Sequence, residues 1–341
     1  MPLSTPAPPA PLARRVSLVL LLLVVLLVSV TGLVRTARAD AVPGAPAQAT
    51  ADPAPAPRTA KDELSPLKAV ALGVIEGVTE FLPISSTGHL LVSQKLMDVG
   101  VSPATKEAGD AYAIVIQAGA ILAVAVLYWR RLLSVANGVI GRDPEGRTLG
   151  LNLVVAFLPA AVLGFAFEKT IKAHLFGPWA IVAAWTAGGL VLLWLSTSGW
   201  WEREKHGASI GSIGLRTAVI IGLAQCLAMW PGTSRSLVTI VAGLLVGLSI
   251  GAAVEFSFLL GLITLSAATA FDVVKHGSII VDSFGVASPI IGFVAAFVAA
   301  VIAVKWMVGY LQDHSLAIFG WWRLLVAALT VGLLLGGVIT T

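Results

Sequence analysis

"EGVTEFLPISSTGHL", Glu76–Leu90, sets two carboxylates, a run of hydroxyls and a histidine among apolar residues. A second polar insert, "WPGTSRS", Trp230–Ser236, stands in an equally apolar setting. A charged side chain near the bilayer centre costs roughly 2.5–3.5 kcal/mol on insertion scales. Two such inserts therefore predict short, broken helices that gather polar groups at depth, rather than ordinary membrane spans.

The rest of the chain supports a membrane setting. It has 341 residues, 57% hydrophobic and 12% charged, with a mean hydropathy of +0.92. Soluble domains carry about 25% charged residues, so an all-α polytopic membrane protein is expected. Cys226 is the single cysteine and excludes an internal disulfide; its apolar neighbours make it a small hydrophobe. The net charge of +4 suits anionic lipid. The basic residues are scattered among loops without a stripe, which argues against nucleic acid. At the N-terminus, Arg14 and Arg15 precede an apolar run from Val16 to Val34, followed by Ala37-Arg38-Ala39. Residues 1–39 read as a signal peptide or an N-terminal membrane anchor, and 40–64 as a Pro/Ala-rich linker. The membrane domain is expected over 65–341.

That domain divides into two similar halves, about 66–200 and 215–340. "AVALGVIEGVTEFLPISSTGH" (Ala69–His89) aligns with "AVIIGLAQCLAMWPGTSRS" (Ala218–Ser236), matching Gly73 to Gly222 and Glu76 to Gln225. Three long apolar segments follow in each half: 111–129, 151–167 and 179–195, then 252–272, 286–306 and 322–340. Interrupted helices at corresponding places in two halves point to a site near the bilayer midplane. Two re-entrant hairpins, 66–98 and 216–249, are therefore expected beside six spans. Arg130, Arg131, Arg142 and Arg147 follow the first span, and Arg203, Lys205 and Arg216 the third; both loops are placed in the cytoplasm. Three spans per half is odd, so the halves would be inverted relative to each other.

The polar inserts carry the chemistry. Glu76 and Glu80 stand four apart, on one helix face, where like charges need a proton or a cation between them. A divalent cation such as Mg²⁺ or Ca²⁺ would suit both carboxylates and a diphosphate substrate. In "PISSTGH", Ser85, Ser86 and Thr87 precede His89, with Pro83 ending the helix and Gly88 allowing a tight turn. A hydroxyl beside a carboxylate or imidazole has the makings of an activated nucleophile. In "PGTSRS", the Arg235 guanidinium fits phosphate oxygens, with Ser234, Ser236 and Thr239 as further donors. Glu255 reads as a helix start with access to the cavity, Gln117 and Gln225 as interhelical bonds or ligands, and Trp200, Trp201, Trp321 and Trp322 as interfacial anchors. His174, His206, His276 and His314 read as surface residues.

These motifs, with "IQAGAILAV" (Ile116–Val124), "YWRRL" (Tyr128–Leu132) and "EFSFLL" (Glu255–Leu260), resemble the bacterial undecaprenyl-diphosphatase family of the BacA/UppP type over about 65–340. The resemblance implies hydrolysis of a C55 polyprenyl diphosphate to the monophosphate for peptidoglycan precursor recycling, with associated bacitracin resistance. It also implies an inner-membrane location with the active site on the outer face, and leaves room for a homodimer. The family's acidic motif falls on Glu76 and Glu80, its hydroxyl–histidine motif on Ser85, Ser86, Thr87 and His89, and its serine–arginine motif on Ser234, Arg235 and Ser236, with Thr239 beyond. The attacking group is either Ser86 or a water activated by Glu80 or His89. Leu237 stands where many relatives carry a small residue. Lipid phosphatases with "PSGH" and "SRxxxxxHxxxD" are excluded, because Val241 occupies the position that needs histidine. A polyprenyl-phosphate transporter is the alternative, since inverted repeats with broken helices recur in transporters.

Overall fold

The computed structural model describes residues 63–101, 105–175, 177–198 and 206–339. Residues 1–39 and nearly all of the linker lie outside the described residues, as do Trp200, Trp201 and the side chains of His174 and His276. Glu63 and Leu64, at the linker's end, are buried. The Glu63 carboxylate accepts from the Gly100 N–H at 3.0 Å and the Thr105 hydroxyl at 3.2 Å, so packing starts at or before this point.

The described residues are helical, with one isolated bridge between Ala208 and Leu248. In chain order the helices are α1 (Pro66–Thr79), α2 (Ser86–Met97), α3 (Lys106–Leu127), α4 (Trp129–Val139), α5 (Pro144–Leu175) and α6 (Pro178–Thr197). There follow α7 (Leu215–Gln225), α8 (Arg235–Leu245), α9 (Ile250–Phe284), α10 (Ala287–Asp313) and α11 (Ala317–Leu335). Helices α3, α5, α6, α9, α10 and α11 each contain a stretch long and apolar enough to cross a membrane. The other helices of the motif regions are too short: α1 has 14 residues, α2 has 12, and α7 and α8 have 11 each. At 1.5 Å per residue none of these reaches across a hydrocarbon core of about 30 Å. Six helices long and apolar enough to span, with shorter helices in the two motif regions, agree with the expected count of spans.

Several helices run beyond the expected bounds: α3 and α5 begin at Lys106 and Pro144 rather than 111 and 151, and α5 and α9 end at Leu175 and Phe284 rather than 167 and 272. The last span starts earlier than 322, at Ala317. Residues 317–321, AIFGW, are apolar as well and form the first turn of α11, and Arg323 lies fully buried in the second. The basic stretch after α3 is helical rather than looped, as α4, with Trp129, Leu133 and Val139 exposed. Within it Arg131 reaches Glu255 at 2.5 Å, which turns Glu255 toward α4. Asp143 then caps α5, accepting from the Gly146 N–H at 2.9 Å and the Ser134 hydroxyl at 2.6 Å.

The short helices dock where glycine lets backbones touch. A Cβ on Gly73 or Gly77 of α1 would overlap the carbonyl oxygens of Gly292 and Ala296 on α10. On α7, a Cβ at Gly222 would lie 2.5 Å from the Ala156 carbonyl oxygen of α5. Close approach of small residues is what holds helices together where lipid supplies no hydrophobic drive. Helices α3 and α9 pack on each other, as do α6 and α11. The main apolar cluster, around Phe81, Leu153, Leu237, Phe256 and Phe258, lies between α1's end, α5, α8 and α9. Leu237, the family departure, is accommodated there at 2% exposure.

Gly77→Val should therefore push α1 off α10 and lower stability by about 1–3 kcal/mol, the usual range for overpacking. Gly164→Ala, at a site with nothing within 4 Å, should be neutral or slightly stabilising. Thermal unfolding of both proteins in detergent checks the pair; equal melting temperatures would remove the close-packing argument.

Candidate active site

The two broken helices reach the same unusual turn. Helix α1 ends at Thr79, and α2 begins at Ser86 behind Ser85, whose φ of 71° and ψ of 100° lie outside the regions that L-residues favour. Helix α7 passes into a 3₁₀ turn, Cys226–Met229, and α8 begins behind Ser234 with φ 74° and ψ 115°. Non-glycine residues at positive φ are uncommon and are held only where their surroundings over-determine them. The result is two helix N-termini aimed at one place, each presenting free N–H groups and the positive end of its dipole.

Between them lies a cavity of about 220 Å³ whose walls include Glu80, Ser85, Ser86, Thr87, Ser234 and Arg235. Gln117, Gln225, Thr264 and the 228–232 turn complete it. The Ser86 hydroxyl donates to Glu80 Oε2. The other carboxylate oxygen, Oε1, lies 3.5 Å from Arg235 Nη2. Arg235 Nη1 donates to the Ser257 carbonyl at 2.9 Å, and its Cζ sits 5.3 Å from the Phe81 ring centroid. Room for this guanidinium comes from Gly261, where any Cβ would overlap it. Its Nε is buried with no protein partner. A serine held on a carboxylate, beside a cation with a spare donor, is equipped to attack and bind a phosphoryl group.

Not every sequence-predicted residue lines that cavity. Glu76 is 1% exposed and lies against Glu80, with Oε2 lacking any hydrogen-bond partner. His89 faces the other way. Its Nδ1 meets the Ser85 carbonyl at 2.7 Å, and its Nε2 accepts from the Trp322 indole N–H at 3.0 Å. With both nitrogens engaged and the ring packed on Trp185 and Trp322, His89 braces the turn, and the partner of Ser86 is Glu80 instead. Trp322 thus holds His89 as well as facing outward. Ser236 and Thr239 also serve as supports: the Ser236 hydroxyl donates to the Glu80 carbonyl at 3.3 Å, and Thr239 bonds Ser257 Oγ at 2.7 Å. Both are at most 1% exposed. Neither is among the cavity's walls: Thr239 lies one turn further along α8 from Arg235, where it meets Ser257, and Ser236 is taken up by the Glu80 carbonyl. Glu255 is not among the cavity's walls.

Both glutamines make interhelical hydrogen bonds. Gln225 Oε1 lies 3.2 Å from Thr264 Oγ1 and Gln117 Oε1 3.1 Å from Thr269 Oγ1, while both side chains line the cavity. Sequence reading missed Arg323 and Trp185. Trp185 donates to the Ile84 carbonyl at 2.9 Å, and Arg323 bonds carbonyls of both turns. A signal for Arg323 existed: an ionisable residue inside an apolar span is a functional candidate by default.

Comparison with known proteins identifies the family. The family described as Bacitracin resistance protein BacA matches residues 69–329. A protein named undecaprenyl-diphosphatase from Sorangium cellulosum is 43% identical over 266 residues, covering 78% of this chain and 85% of its own. Undecaprenyl-diphosphatase 2 of Rhodospirillum rubrum is 45% identical, covering 76% and 91%. The undecaprenyl-diphosphatase of Methylococcus capsulatus is 44% identical with the same coverage, 76% and 91%. With the family match extending through both motif turns, five of the apolar spans and into the sixth, this chain belongs to the BacA family.

Proposed function

We propose that this chain is an undecaprenyl-diphosphatase, releasing inorganic phosphate from a C55 polyprenyl diphosphate and leaving the monophosphate. The observation that carries this reading is the Ser86–Glu80–Arg235 constellation at two converging helix N-termini; relatives bearing that activity in their names support it. The substrate's terminal phosphoryl group would sit on the N–H groups that open α2 and α8, with Arg235 Nε completing its coordination. Glu80 accepts the Ser86 proton as Oγ attacks the terminal phosphorus. The bond to the bridging oxygen breaks, and the lipid monophosphate leaves with the bond's electron pair. Water then attacks the phosphorus of the phosphoserine, its protons leave with the inorganic phosphate, and Glu80 returns its proton to the departing Ser86 Oγ. Arg235 and the helix ends stabilise the charge spread over the phosphoryl oxygens.

A divalent cation held between Glu76 and Glu80 is part of the same proposal. Glu76 offers a buried carboxylate oxygen with no partner, and Glu80 stands next to it. Among the described residues no group of three or more His, Cys, Asp or Glu side chains could hold a metal. The protein's share is therefore two carboxylates, and Mg²⁺ is often bound by one or two carboxylates plus substrate phosphates. Such an ion would neutralise diphosphate charge.

Architecture and orientation belong to the same reading. Helix α1 against α10 corresponds to α7 against α5, with Gly73 and Gly222 at matching contacts, and Ser85 and Ser234 share one backbone conformation. These correspondences support an inverted repeat with two re-entrant hairpins, α1–α2 entering from outside and α7–α8 from the cytoplasm. The basic residues near α4 support a cytoplasmic side there. The cavity then serves the outer face, where residues 1–39 would direct the N-terminus as a signal peptide or anchor and 40–64 would link it to the domain.

Purified protein should release phosphate from undecaprenyl diphosphate, and a transporter would not. Ser86→Ala, Glu80→Gln and Arg235→Lys should each lower kcat by about 10²–10³, the usual loss for a positioned electrostatic or proton-transfer group, while eluting as folded protein. Near-native activity in folded Ser86→Ala would exclude the serine route. Excess chelator should abolish turnover, and restored Mg²⁺ or Ca²⁺ should return it; full activity in chelator would remove the cation. For orientation, cysteines replacing exposed Asp110 and Arg142 in a Cys226→Ser background can be tested in intact cells with an impermeant thiol reagent. Labelling confined to position 110 is expected, and labelling confined to 142 would reverse the topology.

A further inference from the structure

Arg323 has no exposed surface, and its partners among the described residues are four main-chain carbonyls. Nη2 donates to Gly232 at 2.8 Å and to Ala184 at 2.7 Å; Nη1 donates to Pro83 at 3.3 Å and Nε to Trp185 at 3.3 Å. Pro83 precedes Ser85 by two residues and Gly232 precedes Ser234 by two. One guanidinium thus grips the same point of both turns, immediately ahead of the two positive-φ serines, and ties them to α6. The neighbouring carbonyls of the first turn are held as well, Leu82 by the Ser234 hydroxyl and Ile84 by the Trp185 indole. Space is reserved for the head group at Gly188, where a Cβ would overlap it. Burying a cation without a counter-charge is costly, and simple packing at this place would be served by an apolar side chain.

We propose that Arg323 is a positioning residue for the hydrolysis proposed above, a reading on which this inference rests: it sets the two helix N-termini, and so Ser86 and Arg235, at one separation. It does not line the cavity, so it acts through the turns. Only a planar fork with donors along several edges can serve four carbonyls on three chain segments; a lysine head reaches fewer of them. Loss of that grip leaves ground-state binding largely intact and displaces the attacking and stabilising groups, and a displacement near 1 Å can cost about 10²-fold in rate.

The test uses the full-length protein in detergent with undecaprenyl diphosphate, below the melting temperature of each variant. Arg323→Lys should lower kcat by roughly 10²-fold with KM little changed. Hydrogen–deuterium exchange should rise in both turns, 80–88 and 229–236, ahead of the spanning helices. Gly188→Ala keeps the charge but shifts the head group, and should lower kcat in the same direction by less; it decides the matter if Arg323→Lys fails to fold. Unchanged kcat in a folded variant, or faster exchange in one turn only, overturns the proposal. Wild-type protein that releases no phosphate would sink the hydrolase reading, and the exchange data would still decide whether Arg323 holds the turns.

Discussion

A helix broken inside a membrane leaves carbonyl and N–H groups that no lipid can satisfy, and each unmet group costs several kcal/mol. This protein breaks two helices beside its six long apolar ones, and the rest of its architecture answers that constraint. Six spans provide the enclosure. Leu82, Pro83, Ile84 and Gly232 each find a donor from another element, supplied by Ser234, Arg323, Trp185 and Arg323 again. The turns can then point their free N–H groups toward a cavity without further pairing. On the function proposed here, what would be a defect in a plain span serves to bind an anion.

The same economy explains why two half-sites are needed. The first turn brings a serine and its carboxylate partner, and the second brings the arginine. Neither turn alone joins a proton acceptor to a fixed positive charge. Their contact through Arg235 and Glu80, and through Ser236 and the Glu80 carbonyl, links the halves at the place where charge would develop. Desolvation strengthens every such contact, because water no longer competes for the donors.

Much of this was legible in the residues. The spans followed from apolar runs, and the hairpins from Pro83, Gly232 and the hydroxyl clusters, since short interrupted helices carry their own punctuation. Glu80, Ser86 and Arg235 were recognisable as expensive polar groups without an ordinary reason to be there. The direction of His89 was not legible: four residues after Ser85, its ring can turn either toward the cavity or back toward Trp322, and tertiary packing decides. Arg323 escaped because it has no motif around it. Its partners are carbonyls from distant segments, and backbone acceptors leave no trace in side-chain identity. Ser236 and Thr239 carry the right chemistry but are engaged by the Glu80 carbonyl and by Ser257, partners that only tertiary packing supplies.

The central claim is that both hairpins close on a single phosphoryl group. Determining the structure with a trigonal phosphoryl mimic such as vanadate, in the presence of a lipid monophosphate, addresses it most directly. The mimic is expected within bonding reach of Ser86 Oγ, with Arg235 and the N-terminus of α8 contacting its equatorial oxygens. A mimic held by one hairpin alone, or bound away from Ser86, would contradict a site built by both.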